Sequence, residues 1–160
     1  MKTEKRYVLG FAFDQNADNV ILIEKQRPDW QKGKLNGVGG KIEESDKCWN
    51  GNDVNWNDTA GLAMVREFKE ETGADTKIGG EYGWQLFATM IFEDDVMGGK
   101  SIVYCFKLFS NLIYQCETVE DEEIRLVSLD DVMQENIIDN LPVLIPMALH
   151  KGIKFSEINY

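Results

Sequence analysis

The sequence predicts a mixed α/β fold in which a β-sheet is sandwiched between helices. Apolar runs of strand length come in groups, and helical patterns separate those groups with little strict βαβ alternation. The longest runs, such as Tyr7–Phe13 and Ile102–Phe106, are too short to cross a membrane. A chain of 160 residues is long enough for one well-buried domain, so we predict a single domain over residues 1–160.

The chain is predicted to begin with a β-hairpin. Tyr7–Phe13 is nearly all apolar, Asp14–Asn19 supplies a polar turn, and Val20–Lys25 continues as a second strand. The next segment, Gln26–Lys34, is polar and contains Pro28, so it cannot be the interior of a strand.

A glycine-rich loop and a helix are predicted next. Leu35–Lys41 has glycines that allow close backbone approach, and it is predicted to be a loop. Glu43–Asp58 is rich in Asn and Asp, which indicates a second, long loop. Thr59–Thr72 has a helical stripe of apolar residues, and Gly73 is placed to cap its C-terminus.

The second half predicts further strands and two helices. Gly83–Phe92 and Ser101–Phe109 are β-rich and form a hairpin across the connection Glu93–Lys100, and Glu123–Val127 suggests another strand. Two helical segments follow, and the second has one proline suited to its first turn and one that should kink or shorten it. These helical segments are Leu129–Gln134 and Leu141–Lys151, and the prolines are Pro142 and Pro146.

The charge and the cysteines limit the kinds of partner. A formal charge of −11 opposes binding of nucleic acid polymers, but it does not exclude a small phosphorylated substrate bound with a divalent metal. The cysteines at 48, 105 and 116 are odd in number and form no CxxC pair, which argues against a disulfide framework or a structural zinc site. Without a signal peptide or a membrane-spanning run, we expect a cytoplasmic protein.

An acidic cluster stands out on the predicted helix. Glu67, Glu70 and Glu71 share one face, and Arg66 lies beside them. Taken alone, such a run is usually a solvated helix face. The alternative is a site for a hard divalent cation, because Mg²⁺ prefers oxygen ligands.

Two segments together resemble the box of the Nudix (MutT-related) hydrolases. That box is a glycine, five residues, a glutamate, seven residues, then Arg-Glu-apolar-x-Glu-Glu-x-Gly-apolar. Here Gly40 fills the first position, in the setting Gly-Gly-Lys-Ile-Glu, and Arg66–Ala74 fills the second half in order. The resemblance implies the Nudix fold and hydrolysis of a diphosphate bond in a nucleoside diphosphate linked to another group.

The resemblance also implies roles for the acidic residues. Glu67, Glu70 and Glu71 would hold Mg²⁺ (or Mn²⁺), with the Gly39 carbonyl as a further ligand, and Arg66 would orient the carboxylates. The proton acceptor would be Glu67 in the box or a glutamate in a later loop. For that distal acid the candidates are Glu122 and Glu123, although a solvated acidic turn explains them equally well.

The match to the family has one departure. Arg66 lies 26 positions after Gly40, where the family has fourteen, so about twelve residues are inserted near residues 46–57. Asp58 and Asp46 compete for the first acidic position of the box, and Asp58 is better explained as a helix cap. The insert fails the pattern of a calcium loop, and its Trp49 and Trp56 either pack against the body or form a lid over a base, with packing favoured.

The predicted substrate contacts come from three segments. Lys25, Arg27 and Lys41 are candidates for binding phosphate, with surface charge as the alternative for the first two. Asn36 resembles the base-reading asparagine of the subgroup that cleaves purine nucleoside triphosphates, including oxidised dGTP, and a turn beside Gly37 explains it as well. Asp139 and Asn140 would contact the base or cap the last helix, but the tryptophan expected near them in that subgroup is missing.

Three functions are therefore considered. The first is a nucleoside triphosphate pyrophosphohydrolase that releases monophosphate and pyrophosphate. The second is a hydrolase of ADP-ribose or of dinucleoside polyphosphates. The third is a non-catalytic nucleotide-binding Nudix module. In each case the partner is a small-molecule nucleotide, and the protein is expected to be a monomer or a homodimer.

Overall fold

A large mixed sheet with helices on both faces forms the body of the protein. The computed structural model describes residues 3–94 and 98–160. No helix in those ranges is long and apolar enough to cross a membrane. The strands are β1 (Glu4–Phe13), β2 (Asn19–Glu24), β3 (Leu35–Asn36), β4 (Val38–Lys41), β5 (Trp49–Asn50), β6 (Asp53–Val54), β7 (Gln85–Asp94), β8 (Gly99–Phe109), β9 (Ile124–Ser128) and β10 (Ser156–Asn159), and the helices are α1 (Trp56–Thr72) and α2 (Leu141–Leu149).

Strand β1 is the centre of the sheet. It runs parallel to β8 along its whole length, and its other edge is shared between β2 near Phe13 and β4 near Val8. The sheet continues through β7 to β10 on one side, and through β2 to β3 and β9 on the other. This mixture of parallel and antiparallel pairs confirms the predicted fold class and the first hairpin.

The side chains of β1 alternate between two hydrophobic cores. Leu9, Phe11 and Phe13 pack on the face covered by α2, whereas Val8 and Ala12 pack on the face covered by α1. Because both faces of β1 are buried from Val8 to Phe13, its sequence over that stretch is an unbroken apolar run. The helices therefore lie on opposite faces of the sheet, as predicted.

The prediction of a loop over Leu35–Lys41 was wrong. This segment forms β3 and β4, and β4 pairs with β1 in the register Leu9 to Gly39. A Cβ atom at Gly39 would overlap the Val8 carbonyl oxygen, so only glycine lets the two strands approach this closely. The glycines that suggested a loop are therefore required by strand pairing.

The long loop predicted over Glu43–Asp58 was also partly wrong. Residues Glu44–Asp46 form a 3₁₀ turn, and β5 pairs with β6 in a short hairpin of the insert. Helix α1 begins at Trp56, three residues before the predicted start, because Asn55 caps it by accepting a hydrogen bond from the Asp58 N–H. Gly73 caps the C-terminus with positive φ, as predicted.

The second half of the chain agrees with the predictions in most places. Strands β7 and β8 form the predicted hairpin, although its connection Glu93–Lys100 includes residues 95–97, which lie outside the described residues. Strand β9 was predicted, and α2 carries Pro142 in its first turn and ends at Leu149. The helix predicted over Leu129–Gln134 is only a 3₁₀ turn at Val132–Gln134, and β10 was not predicted.

Candidate active site

Arg66 is the hub of a polar cluster between α1 and the end of β4. Its Nη1 donates to Oε1 of Glu67 at 3.0 Å and to Oε2 of Glu70 at 3.1 Å. Its Nη2 donates to the Lys41 carbonyl at 3.2 Å. One guanidinium therefore ties two glutamates of the acidic face to the strand that carries the box glycines.

Asp46 holds the other side of the same guanidinium. Its Oδ1 accepts from Arg66 Nε at 2.9 Å and its Oδ2 from Nη2 at 2.8 Å, in a two-pronged pair. Asp46 is buried, and its hydrogen bonds with Arg66 hold the pKa of its carboxyl below the ordinary value despite that burial. Between the two candidates for the first acidic position, the structure brings Asp46 to the cluster.

Asp58 lies elsewhere, in the exposed first turn of α1. Its carboxylate accepts a hydrogen bond from the Asn55 side chain at 2.9 Å. The interpretation of Asp58 as the helix cap was wrong, since Asn55 takes that position. Asn55 was not considered for this role from the sequence, because the predicted helix began only at Thr59.

Glu67 is buried beneath Gly40. Burial raises the pKa of the Glu67 carboxyl, and the positive charge of Arg66 only partly opposes the shift. A Cβ atom at Gly40 would overlap the Glu67 carboxylate. The missing side chain at Gly40 therefore leaves room for the Glu67 carboxylate, which would have to shift if a larger residue stood there.

Glu71 is also buried, and one of its oxygens lacks a partner. The Oε2 atom of Glu71 accepts no hydrogen bond. Burial, together with the negative charges of Glu120 and Glu122, raises the pKa of Glu71 to about 7. A buried carboxylate with an unsatisfied oxygen beside other carboxylates is an environment that a divalent cation would stabilise.

The carboxylates nevertheless do not form a ready-made metal cluster. Within residues 3–94 and 98–160, no three Asp, Glu, His or Cys side chains converge on one point. Glu67 and Glu70 are directed toward Arg66, and Glu71 lies on the side of the loop that carries Glu120 and Glu122. A shared cation would therefore compete with the guanidinium for Glu67 and Glu70.

The raised pKa of Glu71 predicts a pH-dependent stability of the metal-free protein. The native pKa of about 7 exceeds the ordinary 4.5. The contribution of Glu71 to the free energy of unfolding is therefore fully present below pH 4.5 and is lost as the pH rises toward 7. In EDTA at pH 8, we expect the free energy of unfolding of Glu71→Gln to exceed that of the parent by about 2 kcal/mol. The melting temperatures should coincide near pH 4.5, and a parent no less stable than the variant at pH 8 would contradict the prediction.

The distal acidic loop is tied to the end of β2. Glu122 accepts from Lys25 Nζ at 3.0 Å and from the Gln26 N–H at 2.7 Å, so both of its oxygens are engaged. Glu123 is exposed, and its carbonyl accepts from the Glu24 N–H of β2. Glu120, which we did not single out from the sequence, raises the pKa of Glu71 more than Glu122 does. The run of acidic residues in the sequence pointed to this loop as the source of a distal carboxylate. The spacing of those residues could not show which of them lies near Glu71.

The three basic side chains predicted to bind phosphate differ in whether an acidic side chain pairs with them. Lys25 pairs with buried Glu122, and Arg27 makes a two-pronged exposed pair with Asp121. The Lys41 side chain is exposed, while its carbonyl accepts from Arg66. Lys25 and Arg27 thus hold the acidic loop in place, and only Lys41 extends freely beside the box glycines.

The predicted base-contact residues come together at the edge of the sheet. Ile138 N–H donates to the Leu35 carbonyl at 3.0 Å, which brings Asn36 near the start of α2. Asn36 Oδ1 accepts from the Gly37 N–H at 2.8 Å, the local turn interaction considered from the sequence. Asn140 is the N-cap residue of α2 but makes no side-chain cap bond, and its buried Oδ1 has no partner. Asp139 is exposed.

The two tryptophans of the insert differ in environment. Trp56 lies under the guanidinium of Arg6, which is 3.9 Å from the ring centroid, and it packs partly against the core beside α1. Trp49 is 59% exposed. The packing interpretation therefore holds for Trp56 and fails for Trp49.

Several solved structures share this fold at low sequence identity. A MutT from work on Aliivibrio salmonicida and Vibrio cholerae aligns with a TM-score of 0.61 and 20% identity, covering 91% of this chain and 98% of that one. A MutT protein from Bacillus halodurans gives 0.62 and 18%, covering 98% and 90%. The Nudix domain of Shewanella oneidensis NrtR, solved with ADP ribose, gives 0.63 and 16%, covering 92% and 86%.

A family model identifies the chain more directly. No curated protein gave a significant match. The model of the NUDIX domain, however, matches residues 3–146, which include both halves of the box and the sheet that positions them. The predicted resemblance is thereby confirmed, and with it the prediction of a Nudix pyrophosphohydrolase. The chain belongs to the Nudix family.

Proposed function

We propose that the protein is a Mg²⁺-dependent hydrolase that cleaves a nucleoside triphosphate to the monophosphate and pyrophosphate. The observation that carries the proposal is the buried carboxylate face of α1, where Glu71 has an unpartnered oxygen and burial raises the pKa values of Glu67 and Glu71. Buried carboxylates without partners destabilise a fold, so a site that retains them has a chemical use for them.

Glu67, Glu70 and Glu71 would hold the cation, together with the Gly39 carbonyl. Mg²⁺ suits this all-oxygen set, and Mn²⁺ accepts similar ligands. When bound, the cation supplies positive charge to the diphosphate and makes a nearby water more acidic. Arg66 and Asp46 fix the positions of the carboxylates, because their two-pronged pair anchors the guanidinium that both Glu67 and Glu70 accept from.

Proton transfer is assigned to a carboxylate that still has a free oxygen. Glu67 uses Oε1 for Arg66 and keeps Oε2 available, which supports it as the proton acceptor. Both oxygens of Glu122 are occupied, so we assign Glu122 to positioning the acidic loop. Glu120 then replaces Glu122 as the candidate proton acceptor from the acidic loop, because the charge of Glu120 acts on Glu71. The exposed Glu123 is the alternative.

A purine base, including an oxidised one, is proposed to bind where β3 meets the start of α2. The unpartnered Oδ1 of Asn140 is a buried acceptor, and Asn36 and Asp139 belong to the two adjoining segments. Together they offer donors and acceptors of the kind that distinguish one base from another. Lys41, and Lys25 and Arg27 after release from their partners, would contact phosphate oxygens.

ADP-ribose is the second candidate substrate. The NrtR Nudix domain, which shares the fold, was solved with ADP ribose, and another NrtR structure contains a 27mer DNA. A formal charge of −11 opposes polymer binding in this chain, so we propose a small nucleotide as its partner.

A substrate panel tests the proposal. Purified protein would be incubated with purine and pyrimidine nucleoside triphosphates, 8-oxo-dGTP, ADP-ribose and a dinucleoside polyphosphate, each with Mg²⁺, with Mn²⁺ or with EDTA. We expect pyrophosphate and monophosphate from a purine triphosphate with metal, and none with EDTA. Turnover of ADP-ribose alone would favour the second candidate, and no turnover of any compound would favour a non-catalytic binding module.

A further inference from the structure

A buried threonine near the start of α1 holds one end of the insert. Thr59 is fully buried, and its Oγ1 accepts a hydrogen bond from the Cys48 N–H at 2.9 Å. Ala60 and Ala63 on the same helix are equally buried but belong to the apolar core. Threonine is a poorer helix former than alanine, and a buried hydroxyl destabilises a fold unless it is hydrogen-bonded. The hydroxyl at this position therefore has a specific role, which is to bind Cys48.

Cys48 lies at the base of the β5–β6 hairpin, where both of its backbone polar groups are hydrogen-bonded. Its N–H donates to Thr59 Oγ1, and its carbonyl accepts from the Asn55 N–H at 2.8 Å. The Asn55 carbonyl in turn accepts from the Thr59 N–H at 2.9 Å. Cys48, Asn55 and Thr59 thus form a closed ring of hydrogen bonds. Cys48 cannot move relative to α1 without breaking one of them.

Asp46, which anchors Arg66, lies two residues before Cys48. On its upstream side, Asp46 Oδ2 accepts from the Glu43 N–H at 2.8 Å, and the Asp46 N–H donates to the Glu43 carbonyl at 3.0 Å. On its downstream side, the chain is fixed by the bond from Cys48 to Thr59. The buried Asp46 carboxylate is therefore held from both directions along the chain while it accepts from Arg66 Nε and Nη2.

The spacing along α1 places the two attachment points on one side of the helix. Thr59 and Arg66 are seven residues apart, which is nearly two full turns and about 10 Å along the axis. The segment from Asp46 to Cys48 is attached to this side twice, to Thr59 through a backbone N–H and to Arg66 through a carboxylate. Loss of the first attachment would let the second one shift.

We propose that Thr59 is a positioning residue of the hydrolytic site. It holds the segment that carries Asp46, and Asp46 anchors the guanidinium of Arg66. That guanidinium donates to Glu67 and Glu70, so Thr59 acts on the carboxylates without contacting them. The effect on catalysis rests on the proposed function, whereas the connection from Thr59 to Arg66 does not depend on it.

The first test follows the Arg66 Nε–H by NMR in EDTA, where no turnover is needed. Thr59→Val keeps the shape of the side chain but offers Cys48 no acceptor, so hydrogen exchange at the Arg66 Nε–H should become at least about tenfold faster. Thr59→Ser keeps the acceptor and should exchange like the parent. Thr76→Val is the matched control, because the Thr76 hydroxyl accepts from the Trp84 indole N–H at 2.8 Å in the loop after α1.

The second test is steady-state hydrolysis with Mg²⁺. The kcat of Thr59→Val should fall about tenfold, at the lower end of the effect of residues that orient metal ligands. Thr59→Ser and Thr76→Val should have the kcat of the parent. A purely structural role would lower the melting temperature of Thr59→Val but would leave both the Arg66 exchange rate and the kcat of the folded protein unchanged.

Unchanged Arg66 exchange in Thr59→Val, or equal acceleration in Thr76→Val, would overturn the connection. Faster exchange with the kcat of the parent would overturn the role in catalysis. A parent without turnover would contradict the proposed hydrolase, and the exchange measurement would still decide whether Thr59 holds Arg66. If Thr59→Val does not fold, Thr59→Ala replaces it with the same expected result, because alanine suits a buried helix position.

Discussion

Hydrolysis of the preferred nucleoside triphosphate should fall about a thousandfold in kcat when Glu70 is replaced by glutamine, a loss of roughly 4 kcal/mol of transition-state stabilisation. Glutamine keeps the size of the side chain and an oxygen that accepts from Arg66, so the fold and the hub are retained. What it removes is the negative charge on the half-exposed member of the acidic face. The measurement is steady-state kinetics with saturating Mg²⁺.

A second measurement shows that the loss comes from the cation site. Mn²⁺ binding, followed by the paramagnetic signal of the free ion, should weaken at least about tenfold in Glu70→Gln, since one anionic ligand is lost. Glu135→Gln is the control, because Glu135 is exposed and lies outside the cluster. A Glu70→Gln protein with the kcat and Mn²⁺ affinity of the parent would remove Glu70 from the site.

The acidic face of α1 could be predicted from the sequence because its residues are close together along the chain. Glu67, Glu70 and Glu71 lie on one turn of one helix, so spacing alone places them together. The same holds for the apolar run of β1, whose burial on both faces is visible in its composition.

What the sequence could not predict depends on contacts between distant segments. The glycines at 39 and 40 indicated a loop, yet they serve close approach to β1 and room for the Glu67 carboxylate. Glu120 was missed because only contacts of the folded chain, such as the hydrogen bond from the Val119 N–H to the Glu71 carbonyl, show which part of the acidic loop meets α1. The roles of these residues depend on contacts between segments that are far apart in the sequence. Secondary-structure propensity and hydrophobic periodicity describe only residues that are neighbours along the chain.

The choice between Asp46 and Asp58 for the first acidic position of the box leads to the second large prediction. Asp46→Ala leaves the mostly buried Arg66 without its two-pronged partner, and the loss of one member of a buried ion pair costs about 3 kcal/mol of unfolding free energy. The melting temperature should fall by roughly 6–12 °C. Because Arg66 then lacks its anchor, the positions of Glu67 and Glu70 loosen, and kcat should fall about a hundredfold.

Asp58→Ala is the matched control. Asp58 is exposed, and its carboxylate accepts one hydrogen bond, from the Asn55 side-chain amide, while the Asp58 N–H that donates to Asn55 Oδ1 is retained in the variant. Its removal should therefore cost at most about 1 kcal/mol and leave kcat unchanged. Asp46→Asn separates the two effects, because it keeps one acceptor for Arg66 while removing the charge. If Asp58→Ala lost more activity than Asp46→Ala, the twelve or so extra residues would have to precede the acidic position of the box, and Arg66 would be organised from the helix rather than from the turn after β4.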